Sequence, residues 1–488
     1  MARGLGVRLV PLLPKVTAPL LALLSSSADA AAATGEEDSS SNSDGEEERA
    51  MGGASAEAAA VEAGAVMAAL GAILEGPLAP FLASDVGSLL SRLLHPGLLR
   101  GGRPVAAGTA LADQAADLRR MAAENIPPRL LLAGLTSQLG PALEQGQQPV
   151  EALIATVQDA VEHMDAAAAA THGEEVFAFL LKCMDLRRQQ HPNIDKQDDL
   201  DAAAFRALVA LVMKLSEAKF KPLFLRLLEW ASASPDGDGT ARSMMLFGAA
   251  EALCARLRSI FVPYFTYLLD AAVGHLGSVG AAGSSIKKKK PSKRRKSEGE
   301  ALSSTELDSA LLRFRVVRAL SVCFEHDTVG FLEPERFSRL LPVVSAQLEC
   351  VPSEPALEAI DSAAKAIGRL PGPEGAAESS IGIHGWALVE CLSNMAVAAG
   401  SDEHWRPLNH AVLMSTRSES SKTKLICLEI VGSLVNRLAE EYLTLLPEAI
   451  PFLAELLEDT DQAVEARTQE VVKMLEGIAG ENLEPYMK

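Results

Sequence analysis

The residues of this 488-residue sequence best suited to chemistry are its six cysteines, its nine histidines and one dense run of cations. The cysteines, at 183, 254, 323, 350, 391 and 427, come no closer than Cys323 and Cys350 and form no Cys-x-x-Cys pair. That spacing supplies neither a compact disulfide framework nor a zinc knuckle, and predicts reduced, mostly buried thiols of an intracellular compartment. The histidines are scattered. His404 and His410 stand six apart, which does not place them on one helical face, and no cysteine or acid completes a ligand set. Hydrogen-bonded or solvent-facing histidines are expected. There is no His-Glu-x-x-His, no Gly-x-Ser-x-Gly, no phosphate loop and no dinucleotide Gly-x-Gly-x-x-Gly. Pro235-Asp236-Gly237-Asp238-Gly239 begins like a calcium loop, but the closing acid would fall at Phe247, so a plain turn is expected. No catalytic, cofactor-binding or metal-ligating residue is therefore predicted, and no cofactor. Trp230 and Trp405 could anchor a partner, but beside leucines at helical spacing both are expected to pack in a core.

The cation run is Lys287, Lys288, Lys289, Lys290, Lys293, Arg294, Arg295 and Lys296, broken only by Pro291 and Ser292. It sits in a Gly/Ser-rich stretch that cannot pack, and has the composition of a nuclear-localisation signal or a nucleic-acid patch. The formal net charge of −19 argues against a chain-wide grip on nucleic acid, which needs distributed Lys and Arg. Any RNA contact must be local, and nuclear targeting is the expected role of the run.

The elements that would position such residues are helices. From Pro222 the order is Pro-Leu-Phe-Leu-Arg-Leu-Leu-Glu, from Pro263 Pro-Tyr-Phe-Thr-Tyr-Leu-Leu-Asp, and from Pro451 Pro-Phe-Leu-Ala-Glu-Leu-Leu-Glu. Each reads as a proline at a helix start followed by apolar residues at spacings of three and four, with the Leu-Leu pair in the core. Leu227, Leu228, Leu456 and Leu457 are thus predicted to be buried. Repetition of one helical unit predicts a solenoid of stacked antiparallel helix pairs, and a composition 48% hydrophobic but only 4% aromatic suits it.

The organisation expected is a partial helical repeat over 1–27, an acidic Ser/Ala-rich disordered segment over 28–60, helical repeats over 61–276, a basic disordered linker over 277–305, and further helical repeats over 306–488. At the amino end, Arg3, Arg8 and Lys15 without an acid resemble a transit sequence. Pro11, Pro14 and Pro19 interrupt the apolar run, so a repeat helix is expected there rather than a signal or membrane helix. Neither a membrane nor a small-molecule substrate is expected as a partner.

Several motifs together resemble one family. They are Lys214-Leu215-Ser216-Glu217 with Phe220 and Pro222-Leu223-Phe224, Trp230-Ala231, Trp405 with Pro407-Leu408-Asn409, Thr416-Arg417, and Leu445-Leu446-Pro447-Glu448 followed by Ile450-Pro451-Phe452-Leu453-Ala454-Glu455-Leu456. They are similar to the C-terminal region of the HEAT-repeat U-three small nucleolar RNA-associated protein ten family, over about 125–488. The resemblance implies an all-α HEAT-like solenoid. It also implies a non-enzymatic nucleolar scaffold of the small-subunit processome, supporting rRNA transcription and early pre-rRNA processing. Its implied partners are processome proteins and the U-three snoRNP and pre-rRNA, directly or through partners. A HEAT adaptor for nuclear transport or a phosphatase is the alternative, and a protein with an unrecognised catalytic site is the third. Two departures stand out. The acidic segment and the Lys287 run look like insertions, and Val464-Glu465 stands where HEAT units often carry Val-Arg. That change is expected to remove a charge partner from the inter-repeat ladder and make the last unit a terminal cap.

Overall fold

The computed structural model describes residues 10–33, 46–99, 111–233, 239–283 and 304–487, and every regular element among them is helical. The all-α expectation holds. The chain parts into two compact units, 1–230 and 231–488. The division falls at Trp230 rather than at the basic stretch, because the helices on either side of that stretch pack directly on one another.

Unit 1 contains α1 (Leu13–Ala33), α2 (Glu46–Leu74), α3 (Val86–Leu93), α4 (Pro96–Leu99), α5 (Leu111–Asn125), α6 (Pro128–Ser137), α7 (Leu139–Gln145), α8 (Gln147–His163), α9 (Ala166–Met184), α10 (Leu186–Gln189), α11 (Gln197–Lys214) and α12 (Glu217–Ser232), the last ending at the division. Two rows run through it. Helices α2, α5, α8 and α11 pack in succession as an inner row, and α3, α6 and α9 as an outer one. Unit 2 repeats the plan with α13 (Thr240–Leu257), α14 (Leu269–Gly283), α15 (Ser304–Glu325), α16 (Pro334–Ser345), α17 (Glu354–Ile367), α18 (Gly382–Ala399), α19 (Asp402–Ser415), α20 (Ser421–Leu438), α21 (Leu446–Leu457) and α22 (Gln462–Ala479). Its inner row is α13, α15, α18, α20 and α22, and its outer row α14, α16, α19 and α21. Helix α17 belongs to neither row. It is interposed between α16 and α18 and lies on α15 and α18 through Ala356, Ile360, Ala363 and Ala364. Each unit is thus a two-row stack of helix pairs, the solenoid architecture.

The repeated proline motif is a true structural repeat with a different register. Pro222 and Pro451 stand inside α12 and α21, a full turn past the start, and Pro263 stands in the 3-10 turn Val262–Tyr267 ahead of α14. A proline there forgoes one amide bond to the carbonyl four residues back. The prolines that do open helices are Pro96, Pro128, Pro334, Pro355 and Pro447. The Leu-Leu expectation is half right. Leu227 and Leu456 are buried, as is Phe224, whereas Leu228 and Leu457 are only half-buried, since adjacent residues on a helix point 100° apart.

At the amino end, 10–29 is long and apolar enough to cross a membrane by composition, the one such helix among the described residues. Its packing is that of a repeat helix. Leu13, Thr17, Leu21, Leu24 and Ala28 form a buried stripe, Thr17 Oγ1 donates to Asp85 at 2.7 Å, and Asp29 pairs with His95 at 3.1 Å. Helix α2 starts at Glu46, so the backbone of 46–60 is helical where composition predicted disorder. Its alanines, among the strongest helix formers, outweigh the polar residues. Helices α1 and α14 likewise run into the two segments read as insertions, to Ala33 and Gly283. Residues 34–45 and 284–303 lie outside the described residues. The alanine-rich run 166–170 opens α9, capped by Asp165, whose side chain accepts from the Ala168 amide at 2.7 Å.

Candidate interaction surface

The polar side chains of unit 2 converge on its inner row, where each helix is tied to the next. The side chain of Arg318 on α15 is 3% exposed and lies between Glu251 on α13, at 3.0 Å, and Glu390 on α18, at 2.8 Å. Its remaining nitrogen donates to the Arg369 carbonyl at 3.2 Å, and Glu390 also accepts from the Gly372 amide at 2.8 Å. Burial lowers the Arg318 pKa, but the two carboxylates more than offset it and hold the guanidinium above its ordinary value. One turn along, Asn394 on α18 donates to the Ser321 carbonyl at 3.1 Å and accepts from Arg437 on α20 at 2.6 Å. The last step is Glu429 on α20 with Arg467 on α22, at 2.8 Å. Removing one member of the fully buried Arg318–Glu251 pair costs about 3–5 kcal/mol, because the other is left charged in a low-dielectric interior.

That final step corrects one expectation. The ladder does not end before the last helix. Arg467, two residues after Glu465, supplies the charge that the Val464-Glu465 pair lacks.

The outer row is tied both inside, through Tyr442 and Asn409, and at its surface, through Arg417 and Glu455. Tyr442 donates to Asn409 at 2.9 Å, Asn409 to Glu448 at 3.2 Å, and Arg417, just past the end of α19, meets Glu455 on α21 at 2.7 Å. In unit 1 the equivalent polar knot is Arg187, held by Asp198 and, at 2.6 Å, by Asp201.

The residues singled out in the sequence fall into this frame as structural parts. His404 bonds Ser401 Oγ at 2.7 Å and His410 bonds Glu448 at 2.7 Å, on two different faces of α19. Trp405 is buried and donates to the Ala396 carbonyl at 2.8 Å, and Trp230 is half-buried. Five of the six cysteines are buried free thiols, Cys350 being half-buried. Burial pushes the Cys254 and Cys427 thiols up to about 12 and raises Cys183, Cys323 and Cys391 as well, so none is a thiolate nucleophile at neutral pH. Among the described residues no three His, Cys, Asp or Glu side chains are placed to hold a metal ion. Lys287, Lys288, Lys289, Lys290, Lys293, Arg294, Arg295 and Lys296 all lie outside the described residues, as does the turn at Asp236.

Sequence reasoning expected an inter-repeat charge ladder but did not identify the residues that form it. Its signal was present as charges set directly among apolar residues: Glu251 after Ala249-Ala250, and Arg318 between Val317 and Ala319. Nothing in the sequence paired them, because the partners are 67 and 72 residues apart.

The chain is similar in sequence to several known proteins. Residues 168–332 match the BP28CT (NUC211) domain. An uncharacterized protein of Arabidopsis thaliana is 35% identical over 431 residues, covering 86% of this chain and 18% of that protein. Human HEAT repeat-containing protein 1 is 27% identical over 421 residues, 86% of this chain and 18% of its own length. U3 small nucleolar RNA-associated protein 10 of Schizosaccharomyces pombe is 27% identical over 370 residues, 74% of this chain and 19% of its own. The chain therefore spans about a fifth of the length of these relatives. Among solved structures, karyopherin Kap121p in complex with a C-terminal segment of the phosphatase Cdc14p aligns with a TM-score of 0.42 and 14% identity, over 96% of this chain and 43% of that one.

Proposed function

This chain belongs to the family of HEAT repeat-containing protein 1 and U3 small nucleolar RNA-associated protein 10, and we propose that it is a non-enzymatic scaffold of the nucleolar small-subunit processome. In this role it supports rRNA transcription and early pre-rRNA processing. Its partners are processome proteins, with the U3 snoRNP and pre-rRNA reached directly or through them. The observation that carries the reading is homology with U3 small nucleolar RNA-associated protein 10 over 74% of the chain. The interior supports it: the buried charges are spent on joining helices, the thiols are held protonated, and stacked repeats offer extended surfaces for partners. We further propose that Lys287, Lys288, Lys289, Lys290, Lys293, Arg294, Arg295 and Lys296 direct nuclear import, placing the chain in the nucleus and nucleolus.

Affinity purification of the full chain from nuclear extract tests the scaffold reading. Co-enrichment of U3 RNA with processome proteins is the expected result. Recovery of transport receptors or phosphatase subunits without U3 RNA would replace it with an adaptor of another kind.

A further inference from the structure

Helix α17 stands outside both rows of unit 2, and the helix and the turn that follows it are held by different means. Along the helix only Ala356, Ile360, Ala363 and Ala364 are buried, where it lies on α15 and α18. Helix α16, two residues shorter, buries Phe337, Leu340, Leu341 and Val344. Apolar burial is what offsets the chain entropy of an ordered helix, and three alanines with one isoleucine offset little of it. The amino end adds nothing, since Ser353 makes no side-chain hydrogen bond to the helix, and a helix of this length is marginal in water by itself. The return turn is held far more firmly. The Arg369 carbonyl accepts from Arg318 at 3.2 Å and the Gly372 amide donates to Glu390 at 2.8 Å, so the turn is fastened to both members of a pair that joins α15 to α18. Bonds of this kind, with one charged member, are the strong ones. The Arg369 side chain adds a pair with Glu325 at 2.6 Å, and Pro371, Ala376 and Ile381 are buried. Gly372, at φ 87°, lies so close on the Trp386 ring that a Cβ there would stand 2.6 Å from it. Between helix and turn, Gly368 closes α17 at φ 76°, with open space where a side chain would be.

We propose that α17 is a strap that melts off the inner row as a unit of its own, turning at Gly368 while the return turn stays fastened to Arg318 and Glu390. Its opening bares the stretches of α15 and α18 on which it lies, without parting either helix from its row. In a repeat stack each inner helix is held by the neighbours on its two sides. Helix α15 has α13 and α18, and α18 has α15 and α20, so neither depends on α17 for its place. Access to this part of the inner row is therefore set by a local equilibrium, separate from unfolding of the stack. The strap adds a moving part to the scaffold and stands whether or not its partners belong to the processome.

Amide hydrogen exchange of the full chain, read by mass spectrometry with electron-transfer fragmentation and corrected for intrinsic rates, tests the strap. The hydrogen-bonded amides of α17 should exchange about tenfold or more faster than those of α15 and α18, with the Gly372 amide staying among the slow ones. Ile360→Ala should speed α17 by about a further tenfold and leave α15 and α18 unchanged. Ser362 is exposed on α17, and Ser362→Ala, which favours the helix without touching its packing, should slow α17 about twofold. Exchange of α17 at the rate of α15 and α18 overturns the strap, and so does an Ile360→Ala variant that speeds all three helices together. A Gly372 amide that exchanges at the rate of α17 overturns the fastened turn and the pivot at Gly368.

Discussion

Ala439 and Arg258 close two inner helices, α20 and α13, in a backbone conformation that L side chains rarely adopt, with φ 50 and 54° and ψ −123 and −133°. Both lead into a 3-10 turn that enters an outer helix, so the strain belongs to the repeat geometry. Ala439 is exposed and packs against nothing that glycine would lose. Ala439→Gly should therefore raise stability by about 1 kcal/mol, seen as a higher denaturant midpoint at unchanged slope. An earlier midpoint would remove the strain argument. His384 gives a pH signature. Its folded pKa of about 4 lies below the ordinary 6.5, so between those values the unfolded chain takes up a proton that the folded chain refuses. Stability is lost as pH falls from about 6.5 to 4, by about 2 kcal/mol after allowance for partial exposure. Melting temperatures of the chain and of His384→Gln should diverge over that window, the variant having the flatter profile. Residues of this kind were legible unevenly. Trp405 reads as core from its leucine neighbours, whereas Arg318 reads as an ordinary surface arginine until Glu251 and Glu390 are brought to it by folding.

Helices were legible where spacing alone decides. The apolar stripe of α12, with Phe220, Leu223, Phe224 and Leu227, follows the three-and-four rule and is buried accordingly. Proline register was not, because a local rule puts proline at a helix start, whereas the helices of Pro222 and Pro451 begin a turn earlier, at Glu217 and Leu446. The existence of α17 was legible too, but not its place outside both rows, which depends on Ala356 and Ile360 finding α15 across the fold. The half-burial of one leucine in each pair yields a paired prediction. Leu456→Ala should cost about 3 kcal/mol and Leu457→Ala about 1, read from denaturant midpoints. Equal losses would mean that both leucines serve the core alike.

At the scale of the chain, the two-row stack was legible from three repetitions of one motif, and the division into units at Trp230 was not, since the Pro/Gly turn at 235–239 reads like any turn between repeats. The net charge of −19 is likewise a whole-molecule property against which one cation run acts alone. Replacing Lys287, Lys288, Lys289, Lys290, Lys293, Arg294, Arg295 and Lys296 by neutral residues should leave circular dichroism unchanged and the isolated chain cytoplasmic in cells. Persistent nuclear entry with weaker RNA binding and a flatter salt dependence would make the run an RNA patch instead. Entry, RNA binding and salt slope all unchanged would leave it a solvated linker.

Cys254, Cys323, Cys391 and Cys427 sit on four successive inner helices, α13, α15, α18 and α20, each shut away from solvent. An alkylating reagent can reach any of them only when its own stretch of the stack opens, and opening in a repeat array is governed by nearest neighbours. The four thiols are therefore local clocks, set one repeat apart, whose modification rates time how often each part of unit 2 breathes. Cutting the tie at Arg318 with Arg318→Met should quicken the clocks at Cys254, Cys323 and Cys391, which flank it, while Cys427 keeps nearly its original time.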